Sequence, residues 1–220
     1  QVAYPGAVHT RAGNRKPPTA AYGGFSPVMY YDEAEGLIVG GQLWDGRAAS
    51  LEDQANAPVS NTIEMGMREL EEAMNRVRDI PGYRPYFKKA FGGDDPMTVD
   101  NAAKAVAAFE RSLITPNSPY DRYVKGDEAA MSKQQVRGMN TFADVGCTAC
   151  HSGPAFNGPS LAQGTGFYMK FPTFSDNDYT RDYKFTDDGG RSEVTGKEAD
   201  KALWKVPTLR NIEATAPYFH

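Results

Sequence analysis

The chain has 220 residues, 24 basic and 28 acidic, with a formal net charge of −4 and 40% apolar residues. That is globular usage, which argues against wholesale disorder, and it lacks the basic excess of a nucleic-acid binder. No apolar run approaches the ~18 residues that cross a bilayer, and the most apolar stretch, Ala102 to Phe109, is broken by Lys104.

The length suggests one to two domains. The chain opens on Gln1 without a signal peptide, which reads as a processed, trimmed or partial chain. Residues 1–48 carry Tyr4-Pro5-Gly6, Pro17-Pro18, Tyr22-Gly23-Gly24 and Gly40-Gly41, and are expected to be mainly loop. Ser50-Leu51-Glu52-Asp53 resembles a capping box with Asp in place of Glu or Gln, so a helix should begin there. A second helix is expected from Met65 to Asp79, with Met67, Leu70, Met74 and Val77 on one face as core and Pro81-Gly82 as its end. Tyr83 to Phe91 should form a short helix or turn, closed by Gly92-Gly93.

A third helix, capped by Thr98 or Asp100, is expected to bury Ala102, Val106, Phe109 and Leu113 and to stop at Thr115-Pro116. Pro116 to Gly126 reads as a turn-rich connection and the domain boundary. Ser132-Lys133-Gln134-Gln135 is a capping box opening a fourth helix, with Val136, Met139 and Phe142 on one face, running towards Cys147. From Ser152 to Leu203 the sequence is irregular and aromatic. A structureless loop of ~50 residues is rare in a compact domain, so either short elements hide there or the segment wraps something large and apolar. No strand alternation and no internal repeat stand out.

The two cysteines, Cys147 and Cys150, are too close to staple a fold, which excludes a disulfide framework. With the next residue they read Cys147-Thr148-Ala149-Cys150-His151, the C-x-x-C-H of c-type haem attachment. Two thiols on one turn reach the two vinyl groups of one porphyrin, and the adjacent histidine faces the iron. A redox C-x-x-C pair would sit in a βαβ surround, and tetrahedral zinc would need more ligands than His9 and His220 offer. A porphyrin would also supply the apolar core that 152–203 lacks.

The chain resembles the bacterial di-haem cytochrome c peroxidases and their MauG-like relatives along nearly its whole length. The resemblance is carried by Leu43-Trp44-Asp45-Gly46-Arg47, Leu51-Glu52-Asp53-Gln54-Ala55, Glu64-Met65, Ala107-Ala108-Phe109-Glu110-Arg111 and Thr115-Pro116-Asn117-Ser118-Pro119-Tyr120-Asp121. After the C-x-x-C-H it continues in Val206-Pro207-Thr208-Leu209-Arg210-Asn211 and Thr215-Ala216-Pro217-Tyr218-Phe219-His220. It implies an all-α fold of two cytochrome c-like haem domains with long irregular loops. Residues 1–115 would belong to the first, peroxidatic haem domain and 116–220 to the second, electron-transfer domain. The first C-x-x-C-H would precede Gln1, and the second haem's sixth ligand, Met in peroxidases and Tyr in MauG, would follow His220. The chain then reads as the family's central portion.

The resemblance also implies roles. His9 would be the distal ligand of the first haem iron, against a plain loop histidine. Trp44 would lie between the haems, against a core tryptophan. Glu64 would move the peroxide proton, against a charge favoured by the dipole of the helix it opens. Gln54 would be its polar partner, against an exposed helix residue. Arg191 and Arg210 would pair with haem propionates, against solvated surface arginines. Thr215 and Pro217 carbonyls would hold a calcium ion. The calcium asparagine falls in a stretch reading Arg15-Lys16-Pro17-Pro18-Thr19, where Asn14 would have to substitute for Lys16.

The implied activity is reduction of hydrogen peroxide to water in the periplasm. Electrons would come from a small cytochrome c or cupredoxin, without nucleic acid or membrane span, and the resemblance is compatible with a homodimer. The rivals are a MauG-like enzyme that oxidises protein side chains and a mono-haem electron-transfer fragment without activity.

Overall fold

The structure, a computed structural model, describes residues 6–8, 10, 11, 13, 15–158, 166–170, 178–182 and 187–216. His9, Asn14, Pro217 and His220 lie outside the described residues.

Helix α1 (Leu51–Ser60) starts where the capping box places it: the Ser50 hydroxyl accepts from Asp53 N, and the Asp53 carboxylate accepts from Ser50 N. It packs on α4 (Val99–Ser112), whose N-terminus is capped by Thr98 accepting from Asn101 N. Close approach of these helices buries Ala103 and Ala107. The expected stripe is therefore corrected: Val106 and Phe109 are 46% and 64% exposed. Periodicity selects the largest apolar side chains, but two backbones that come close need small ones between them. Arg111 clamps the pair by a two-pronged bond to the Glu52 carboxylate.

Helix α2 (Leu70–Arg78) begins five residues later than the sequence suggests. The reason is the end of α1. There Met65 N donates to Pro58 O, Met67 N to Val59 O, and Gly66 N to Asn61 O. The turn that satisfies these terminal carbonyls needs a left-handed residue, supplied by Gly66 at φ 66°. Residue Glu64 sits in this turn, so the helix-dipole explanation of it falls away. Met74 of α2, Phe87 of α3 (Tyr83–Phe91) and Met97 form a buried cluster with Val77, Phe91, Val99 and Ala102 around it. Burial of each large side chain is worth about 1.5–3 kcal/mol. That outweighs the missing side-chain cap at Glu69, a loss of about 1 kcal/mol.

The chain between α4 and the cysteines is more ordered than a turn-rich connection. Helix α5 (Pro119–Val124) has its own capping box, Ser118 with Asp121, and Pro119 as its first residue. Helix α6 (Lys133–Asp144) follows, capped by Ser132 and Gln135 as expected.

Two small sheets correct the expectation of no strands. Strands β1 (Tyr30–Asp32) and β2 (Leu37–Val39) form an antiparallel hairpin with Tyr30 opposite Val39. Strand β3 (Tyr168–Lys170) pairs antiparallel with β4 (Leu203–Lys205), Tyr168 opposite Lys205. At three residues each, none is long enough to show alternation. A bridge between Val39 and Phe167 joins the two sheets, and Val39, Phe167 and Val206 form a second buried cluster, against which Cys150 packs. Between β3 and β4 lie α7 (Asp178–Asp182) and α8 (Ser192–Thr195).

Ionic contacts tie the N-terminal segment to this late part of the chain. The Arg15 guanidinium, 8% exposed, binds Asp45 at 2.5 Å, Asp188 at 2.5 and 2.7 Å and Glu193 at 3.1 Å, and lies over the Trp204 ring. Burial opposes its charge, but hydrogen bonds to Asp188 and Asp45 win and hold it above the ordinary arginine value. Asp45 is likewise desolvated, yet Arg47 and Arg15 hold its carboxyl below the usual range. Lys205 is partly buried, and its ammonium donates to Ser26 Oγ at 2.9 Å and to the Gly41 carbonyl. Burial pushes its pKa down to about 7.

Candidate haem site

The cysteine turn is built by the end of α6. Val145 closes the helix, and Gly146, at φ 86°, reverses the chain in a conformation most side chains resist. A 3₁₀ turn from Cys147 to Ala149 follows at once. Both cysteines are unpaired and half-buried. Backbone bonds from Cys150 N and His151 N to Cys147 O, at 3.3 and 2.9 Å, hold the two thiols and the imidazole on one turn.

The His151 Nδ1 bonds the Phe156 carbonyl at 2.9 Å. That carbonyl accepts from Nδ1–H, which leaves Nε2 with its lone pair for a metal. Beside this turn, α6 closes no core with the described residues. No residue of α6 is buried; Val136, Met139 and Phe142 are only partly covered, and Val145 is 67% exposed. Two thiols, a tautomer-fixed imidazole and an incompletely covered apolar helix face are the donor set and cradle that fit haem c.

The turn from 152 to 158 is pinned from outside. Arg210 Nε donates to Pro154 O at 2.7 Å, and Thr208 Oγ1 to Ala155 O at 2.5 Å. Arg210 forms a two-pronged pair with Asp121, both bonds 2.8 Å, and lies over the rings of Tyr22, Tyr120 and Phe156. Arg210, with Ser118, holds the Asp121 carboxyl far below the usual range. This arginine is thus committed inside the chain. Arg191 also has internal partners: Nη1 donates to the Asp45 and Gly46 carbonyls at 3.1 and 3.4 Å, and the guanidinium faces the Tyr168 ring. Neither is a solvated surface arginine. Asp121, Thr208 and Phe156 were missed as site-supporting residues. The Ser118–Asp121 capping box was a usable signal for Asp121, while nothing in sequence marks a backbone carbonyl such as that of Phe156.

The other expected residues lie elsewhere. Trp44 is partly buried; its Nε1 donates to the Lys16 carbonyl at 2.7 Å and its carbonyl accepts from Lys205 N at 2.8 Å. Glu64 is exposed on the turn after α1, its carbonyl bonded by Ala7 N at 2.6 Å. Gln54 lies on α1, half-buried rather than exposed, with a buried Oε1 that has no hydrogen-bond partner among the described residues. Thr215 Oγ1 donates to Ile212 O at 3.1 Å, and Lys16 O is already bonded to Trp44. Among the described residues no cluster of three His, Cys, Asp or Glu side chains could hold a metal ion. Asn14 and Pro217, which the resemblance assigns to calcium together with Thr215, lie outside the described residues.

A family model described as di-haem cytochrome c peroxidase matches residues 2–129. The chain belongs to the di-haem cytochrome c peroxidase family. Among this family's members, the cytochrome c551 peroxidase of Nitrosomonas europaea is 43% identical over 179 residues, covering 81% of this chain and 49% of that protein. The methylamine utilization protein MauG of Methylorubrum extorquens is 33% identical over 178 residues, covering 80% and 46%. The diheme peroxidase BthA from Burkholderia thailandensis shares the fold, with a TM-score of 0.75, 22% identity and coverage of 98% of this chain and 56% of that one. The mostly helical fold is that of these peroxidases. The chain spans about half the length of the curated relatives it matches.

Proposed function

We propose that this chain carries the electron-transfer haem c of a periplasmic di-haem peroxidase, together with part of the pocket in which hydrogen peroxide is reduced to water. The observation that carries the reading is the cysteine turn: two thiols and a histidine whose Nδ1 is already engaged, beside a helix with no core of its own. Haem bound there would supply a one-electron iron centre with an apolar macrocycle. Cys147 and Cys150 would hold it through thioethers, His151 would ligate iron through Nε2, and Val136, Met139 and Phe142 would cover one face.

The remaining residues divide the work. Trp44, held at both its indole N–H and its carbonyl, would keep a fixed ring between the two haems. Glu64, exposed on its turn, would take the proton from the inner peroxide oxygen and return it to the outer one. Gln54 would offer its unpartnered Oε1 to the same pocket. His9 would be the distal ligand of the first haem. Arg191 and Arg210 would face propionates with donors left over from their internal bonds. Residues 1–115 and 116–220 would then serve the first and second haem, with a small cytochrome c or cupredoxin as donor.

The test is expression with a haem c maturation system. Intact mass and a pyridine haemochrome spectrum should show covalent haem, and the protein with both haems should oxidise reduced cytochrome c or cupredoxin in the presence of peroxide. A chain of unmodified mass would sink the reading. Likeness to MauG supports a second one, in which electrons come from the side chains of a protein substrate. Peroxide consumption without any small redox donor, coupled to oxidation of a protein, would select it.

A further inference from the structure

The axial histidine depends on a carbonyl in an awkward place. Phe156, whose carbonyl bonds His151 Nδ1, has φ 51°, the left-handed region that a non-glycine residue enters at a cost of about 1 kcal/mol or more. Within the turn, Phe156 N donates to Gly153 O at 3.1 Å and Ser152 N to Gly158 O at 3.0 Å. Those bonds close the loop but do not fix where the Phe156 carbonyl points relative to the rest of the protein.

Arg210 does. It grips the turn twice, by its Nε–H to Pro154 O and by its cationic face 5.3 Å from the Phe156 ring centre. The opposite side of the same residue is locked to Asp121, with both side chains only 10–11% exposed. Asp121 cannot drift, because it also accepts from Ser118 N and Ser118 Oγ as the cap of α5. Tyr120, the neighbour of Asp121, completes the fix by packing edge-on against Phe156 with ring centres 4.9 Å apart. A path of contacts thus runs from α5 through Asp121 and Arg210 to the Pro154 carbonyl and the Phe156 ring, in the turn whose Phe156 carbonyl bonds His151.

We propose that the Arg210–Asp121 pair is a positioning device that sets the orientation and basicity of the axial imidazole. This rests on the haem reading above, and it assigns Arg210 a role that does not require a propionate. A carbonyl that accepts squarely from Nδ1–H makes the imidazole a stronger donor at Nε2, which favours ferric over ferrous iron. Loosening the carbonyl should therefore raise the reduction potential.

The test uses Arg210→Lys in the haem-loaded protein. Lysine keeps the positive charge but loses the two-pronged fit to Asp121 and the reach to Pro154 O. Covalent haem content should stay at the wild-type level. The haem's reduction equilibrium constant should rise about tenfold, a shift of ~59 mV for a one-electron couple, and the ferric electron paramagnetic resonance spectrum should change with it. A propionate partner acting through charge alone would leave both unchanged under this swap. If Arg210→Lys fails to fold, Asp121→Asn keeps an oxygen for the α5 cap, removes the two-pronged ionic pairing with Arg210 and should move the potential in the same direction. Haem-loaded variants with wild-type potential and ferric spectrum would overturn this inference alone. A wild-type chain lacking a haemochrome would bring down the haem reading and this inference with it.

Discussion

Helices α4 and α6 are both amphipathic and both begin at a side-chain cap, yet only one of them buries anything. Against α1 and α2, α4 closes over Ala103 and Ala107, with Met74, Phe87 and Met97 sealed beside it. Helix α6 has a complete capping box and an apolar face, and contributes no buried residue. Caps and periodicity make a helix; they do not make a core. The α1–α4 region is finished by protein atoms, whereas on the proposed reading haem would finish the region around Cys147.

The comparison breaks most directly at the cysteines. Replacing Cys147 and Cys150 by Ala should abolish covalent haem completely, read as a negative haem stain on a denaturing gel. In that variant the amides of α6 should exchange with solvent much faster than those of α4. Equal protection of the two helices would mean that α6 needs no haem to settle.

Next in size is the chemistry attributed to the turn after α1. Glu64→Gln, in the protein with both haems, should lower peroxide turnover by ~10²–10⁴-fold with haem absorption unchanged. The turn lies outside both helices, so folding should survive. Wild-type turnover in this variant would remove Glu64 from the proton pathway.

Core truncation then sharpens the contrast. Met74→Ala should cost about 2–5 kcal/mol in denaturant unfolding, because it opens a cavity in a closed cluster. Met139→Ala in the haem-free chain should cost well under ~1 kcal/mol, because that position is only partly covered. Similar losses at the two sites would show that α6 has a protein core after all.

The last test lies in the joint between the early and late segments. Burial lowers the Lys205 pKa from 10.5 to about 7. Between those values the unfolded chain binds a proton that the folded chain does not. Unfolding free energy should therefore rise with pH from 7 towards 10.5, by at most about 1.4 kcal/mol per pH unit. Lys205→Met should flatten that rise, as measured by denaturant midpoints at pH 7, 8 and 9. An unchanged slope would mean the ammonium stays charged where it sits.

Local chemistry was readable from the chain itself. The caps at Ser50, Thr98 and Ser132 start helices where they stand, since a cap is satisfied by residues three positions away. The Cys147–His151 motif places its three donors on one turn for the same reason: the spacing is shorter than any tertiary choice. Strings in fixed order carried the family resemblance, and family membership stands. The elements misread are those whose deciding partner is remote. Gly66 and the carbonyls ending α1 delay α2, and the close approach of α1 selects Ala103 and Ala107 over Val106 and Phe109. Strands of three residues have no period to read, and the two small sheets are joined where Val39 meets Phe167 across more than a hundred residues. Arg210 shows the division most clearly. Its sequence neighbourhood offered a surface arginine or a propionate partner. Folding set it against Asp121, 89 positions earlier, and against the turn after His151, partners that no neighbouring residue announces. A guanidinium takes whatever carboxylate and carbonyl the fold delivers, and that delivery is decided only when distant segments pack.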